Sequence, residues 1–441
     1  SSAASDVYKR QDQVYALVRD DMLGSLEALP DTVQAPLLRA VVRCVDATRD
    51  GPQASAEHVR SLYYPLIVQA AQARMNAAAL APSPLSIQSA LALWCALAEA
   101  ADPSTSGLVH VHLCTQLPAM TALVSHQAAQ ADVQITAMQA MLALLRAAPD
   151  LDAAVLPDLA RYTFVLLESA HACLGNVRDA DATQESVIVT YLHVVEELVR
   201  ACTEAPMLHS WCLRALEIMA PVLSLDVLRI PSINEALATL IHAMLIILRP
   251  ALFASAEGAE AVPNLAAPFD EPCFTRMPAF QLVVRASMYL IGTCDARTES
   301  VASAVAQGLG YVAESLPSLT SPCPAVQVVM DDAIRQLCLL LFLRPMQPAM
   351  LTPLILALRR TVLNRLDAHA LGGAETLLPS LAASCHTPAY RAAVEQAMQH
   401  VWESRAPPPV PAPTPVMMAR MQAKAEQAAA LALNRTLRPL V

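Results

Sequence analysis

Glycine is the residue this chain does most nearly without. Usage of about 7% would place roughly 31 glycines in a chain of this length, and there are 10 among 441 residues. Phosphate loops, dinucleotide turns, β-hairpins and nucleophile elbows all need glycine, where the backbone takes φ > 0 or approaches a ligand closely. Such enzyme architectures are therefore poorly supplied. Alanine and leucine, both good helix formers, dominate instead. Hydrophobic residues make up 55% of the chain and charged residues only 15%. An all-α fold with an extensive apolar interior is the first expectation.

No run is long and apolar enough to span a bilayer, which takes about 18–20 nearly uninterrupted apolar residues. The longest charge-free stretch, Pro103 to Ala131, contains three histidines and three glutamines, and the greasiest, Ala236 to Leu248, is 13 residues long. The N-terminus lacks the basic region and apolar core of a secretory signal. Eleven cysteines without a C-x-x-C pair read as reduced, buried thiols, and so predict a cytosolic or nuclear protein.

The formal net charge of −10 is unevenly spread. Residues 405–441 carry Arg405, Arg420, Lys424, Arg435 and Arg438 against Glu426, a net +4, which leaves −14 on residues 1–404. A nucleic-acid surface would show the opposite sign over its body. The 18 aromatic residues are too thinly spread for base stacking. Nucleic acid is not an expected partner.

Apolar residues recur at helical spacing in segment after segment. Helices are predicted near 12–28, 32–48, 54–79, 85–100, 107–127, 131–147, 151–173, 182–203, 207–225, 233–248, 277–292, 298–316, 323–343, 348–366, 371–384, 388–403 and 416–437. Start signals accompany them. Ser232 with Glu235 has the form of a capping box, and Asp31 with Gln34 and Asp181 with Gln184 are variants. Ser83-Pro84, Ser321-Pro322 and Thr387-Pro388 place a capping hydroxyl ahead of a proline in the first turn.

Many segments carry an apolar arc too wide for one partner. Stacked helix pairs cover such helices, because each pair buries faces within itself and against the next. A period of about 40–47 residues is the HEAT pattern, and over residues 12–403 it gives eight or nine helix pairs in an α-α superhelix. Pro65, Pro118, Pro157, Pro221 and Pro353 fall inside apolar segments and are expected as helix bends or inter-helix turns. Residues 254–278 read as an acidic loop. Residues 404–415, with six prolines, read as a stiff spacer before a basic helix in 416–441. Residues 1–11 resemble a translated sequencing adapter, a non-native leader that would make the chain a fragment.

No catalytic constellation emerges. His110, His112 and Cys114 resemble a metal cluster, but residues two apart on a helix point some 200° apart. His209 and Cys212 have better geometry but supply two ligands only, and burial beside Trp211 is the better account. Gly308 and Gly310 fall in a G-x-G-x-x-A that follows a helical run rather than a strand, so a close helix–helix approach is expected. No cofactor or metal is expected, and the chain is not expected to be an enzyme. Arg359, Arg360 and Arg365 form the best localised basic cluster of the body, either a solvated face or a contact for an acidic partner. Glu196 and Glu197 are the acidic counterpart, on a predicted polar face with His193 and Arg200.

An acidic, proline-bearing, irregular helical array resembles the karyopherin-β superfamily of nuclear transport receptors. The segment Ala374 to Leu440 narrows this. Its Pro388-x-Tyr390 helix start, Trp402, the prolines from Pro407 to Pro415 and a closing helix resemble, in order, the end of the exportin-4 family. The resemblance implies the C-terminal third of a solenoid that binds Ran-GTP and protein cargo together, passes nucleoporins, and shuttles between nucleus and cytoplasm. Family cargo includes translation initiation factor 5A. A HEAT scaffold of some other intracellular complex is the alternative expectation.

Overall fold

The computed structural model describes residues 16–46, 53–101, 103–147, 155–175, 180–201, 209–248, 279–293 and 299–315, with isolated residues 13, 251 and 252. The helices predicted from residue 323 onward, the acidic loop 254–278, the spacer 404–415 and the leader 1–11 lie outside them. Among the described residues the regular elements are all helices, joined by turns and bends, and there is no strand. The chain divides into two compact units, residues 1–222 and 223–441.

The first unit contains α1 (Asp31–Asp46), α2 (Gln53–Leu80), α3 (Pro84–Ala100), α4 (Pro103–Thr115), α5 (Leu117–Ser125), α6 (Ala131–Ala147), α7 (Leu156–Leu174), α8 (Ala182–Ala201) and α9 (His209–Met219). They form two rows. In one, α1 packs on α3, α3 on α6 and α6 on α8; in the other, α2 packs on α4, α5 on α7 and α7 on α9. Helices adjacent in sequence then join the rows, α1 with α2, α6 with α7 and α8 with α9. An inner row helix such as α3, α6 or α7 is thus covered by two row neighbours and by the facing row, which is why its apolar arc is wide. In α3, Ile87, Ala90, Leu91, Leu93, Trp94, Ala96, Leu97 and Ala98 are all buried. Full burial of one Leu or Ile is worth about 1.5–3 kcal/mol. The alanines let neighbouring backbones approach.

The second unit contains a single helical turn, α10 (Leu225–Leu228), followed by α11 (Pro231–Ile247), α12 (Ala279–Thr293) and α13 (Glu299–Ser315). Here α11 packs on α13, and α12 packs on both. Every residue of α12 from Ala279 to Ile291 is buried, including Gln281, Arg285 and Ser287.

Local chemistry sets the boundaries. Asp181 Oδ1 accepts from the Gln184 N–H at 2.8 Å while Gln184 Oε1 accepts from the Asp181 N–H at 3.1 Å, the reciprocal box that the sequence predicts. Ser83 accepts from the Ser86 N–H at 3.1 Å, and Ser86 Oγ accepts from the Ser83 N–H at 3.0 Å. Gly175, just past α7, takes φ +56°, open to glycine at little cost.

Other expectations need correction. The proposed box at Ser232 gives way to a start two residues earlier, with Ile230 as N-cap and Pro231 in the first turn. Proline needs no N–H there. Gln34 donates to the Leu29 carbonyl at 2.7 Å and to Asp31 Oδ1 at 3.1 Å, so it ties the entering strand of chain rather than completing a capping box. The predicted helix 12–28 is a π-helical stretch, Leu17–Leu23, in which the Gly24 N–H donates to the Arg19 carbonyl at 2.8 Å, followed by a 3-10 turn, Leu26–Ala28.

Predicted helix 107–127 is two helices, because Pro118 has no N–H to continue the ladder and the chain turns at Gln116. Pro157 lies in the first turn of α7, and Pro221 follows the end of α9. Among the described prolines expected as bends or turns, Pro65 lies within a helix; Pro36, for which no bend is expected, also lies inside α1. Pro353 lies outside the described residues.

Candidate functional site

The expected basic cluster, Arg359, Arg360 and Arg365, lies outside the described residues. The acidic pair lies on α8, near the end where α8 packs on α6. Glu197 accepts from Arg146 Nε of α6 at 3.3 Å. Glu196 accepts from Arg200, one turn on along α8, at 2.6 Å, and its other oxygen lies 3.4 Å from His193 Nδ1. The sequence places these groups together on a polar face. The structure corrects this for Glu196, which is only 7% exposed because α8 is flanked by α6, α7 and α9.

Burial pushes the Glu196 carboxyl up, but hydrogen bonds from His193 and Arg200, with their charge, outweigh it and hold the group below the usual carboxylate range. The partner Arg200 is raised mainly by its hydrogen bond to Glu196. The outward groups are the guanidiniums, with the Arg146 side chain 62% and the Arg200 side chain 58% exposed. This edge therefore presents two arginines, each tethered to a carboxylate of its own chain.

Similar pairs join other helices. Arg39 of α1 donates to Glu99 of α3 at 2.5 Å, and Arg74 of α2 donates to Asp31 of α1 and Ser89 of α3, both at 3.0 Å. Tyr64 of α2 donates to Asp46 of α1. Sequence reasoning missed Arg39, Arg74, Glu99 and Arg146, since their partners stand 15 to 60 residues away and leave no local pattern. All of these contacts join helices within the first unit.

The remaining candidates are accounted for by packing. His110 is fully buried; Cys114, one turn on along the same face of α4, and His112, on the opposite side, are half-buried. Burial lowers the His112 imidazole and pushes the Cys114 thiol up to about 11. Cys212 is buried and His209 half-buried, and Trp211 lies against Phe164 with ring centroids 4.9 Å apart. A Cβ on Gly308 would lie 3.0 Å from Leu245 Cβ, which is the close approach of α13 to α11 expected from the sequence.

No group of three His, Cys, Asp or Glu side chains among the described residues could hold a metal ion. No helix among them is long and apolar enough to cross a membrane. Cys95 sits beside Glu99 at 3.6 Å, and burial, reinforced by that carboxylate, raises its thiol to about 12. It is thereby kept in its unreactive form. Among the described residues, the contacts of Arg39, Arg74 and Arg146 attach one helix to another. The chain matches no protein-family model and no curated protein.

Proposed function

We propose that the chain is part of a HEAT-type α-α superhelix that holds protein partners along its stacked helices, and that it serves as a nuclear export receptor. On this reading it binds protein cargo together with Ran-GTP, with translation initiation factor 5A as a cargo candidate, and meets nucleoporins in transit. The observation that carries the helical-repeat part is the two-row packing of the first unit, in which each helix is covered by its row neighbours and its pair partner. The transport part rests on the resemblance carried by Pro388, Tyr390, Trp402 and the proline run before the closing helix. The net −14 of residues 1–404 suits basic cargo.

The direct test is capture of the protein, extended by whatever coding sequence precedes it, on immobilised Ran loaded with GTP or GDP. The transport reading predicts retention by the GTP form and loss on exchange to GDP; equal behaviour with both nucleotides would sink it. The same outcome would leave a HEAT scaffold of a non-transport complex, a reading favoured by the carboxylates Glu196 and Glu197, which are engaged by the chain's own arginines rather than held open for cargo.

A further inference from the structure

We draw no further inference here: the strongest candidate, the apolar turn between α2 and α3 where Leu80 is 87% and Leu85 is 76% exposed, carries nothing because nothing in the structure shows what covers it.

Discussion

Two buried residues show how single groups hold this fold. The Tyr191 hydroxyl of α8 donates to the Ala215 carbonyl of α9 at 2.8 Å and is fully covered, so it ties two helices across the rows. Tyr191→Phe is expected to cost about 1–2 kcal/mol, because a buried hydrogen bond is lost with little change in packing. Urea unfolding followed by circular dichroism measures it, and an unchanged midpoint would refute the assignment. At Gly308, a side chain must displace Leu245. Gly308→Val should therefore destabilise by about 1–3 kcal/mol through overpacking, and an unchanged urea midpoint would contradict the close approach of α13 to α11.

Glu196 makes a pH prediction with a definite sign. Its carboxyl is depressed in the folded chain, so its contribution is present above the carboxylate's unfolded pKa and fades as pH falls through the folded one. Since Arg200 is largely solvated, the contribution is that of a screened pair, about 0.5–1 kcal/mol. Glu196→Gln should lower the unfolding midpoint at pH 7, and the gap to the parent protein should close in acid. A gap that persists at low pH would mean that packing, and not charge, sets the loss.

Among the elements, caps decide where helices begin and proline decides where they break. Ser83→Ala and Asp181→Ala each remove an acceptor for an orphan N–H and should cost about 1 kcal/mol. Thermal melts of the two variants measure the loss, and an unchanged midpoint would contradict the capping assignment. The Asp181 box and the Ser83-Pro84 start are legible in sequence because their partners lie three residues away. The division of predicted helix 107–127 is not, because a proline in an apolar run marks a bend or a break with the same letters, and the neighbours decide which. Here α5 packs on α7 while α4 packs on α2, so the two halves serve different partners.

At the scale of the first unit, the scarcity of glycine and the wide apolar arcs follow from the same arrangement. Helices in rows need short connections rather than hairpins, and they bury more than one face. Burial also protects the thiols. Cys44 is exposed, whereas Cys95 and Cys212 are buried and Cys95 is held at about 12. A thiol reagent at pH 8 is expected to label Cys44 rapidly in the native protein and Cys95 and Cys212 only on unfolding, as mass spectrometry of the labelled peptides would show. Prompt labelling of Cys95 would contradict the packing of α3.

Helix content, the reciprocal box at Asp181, the start at Ser83-Pro84 and the close approach at Gly308 belong to the sequence itself, since each depends on residues within one helical turn or on the size of one side chain. The pairing of rows and the state of each charged group belong to tertiary structure alone. Glu196 stands in sequence beside His193, Glu197 and Arg200 on a polar face, yet it is buried, because α6, α7 and α9 close over α8. Arg39 finds Glu99, and Arg146 finds Glu197, across 60 and 51 residues. A helical pattern reports which face is apolar; only the packed neighbours determine how much of the polar face they also cover.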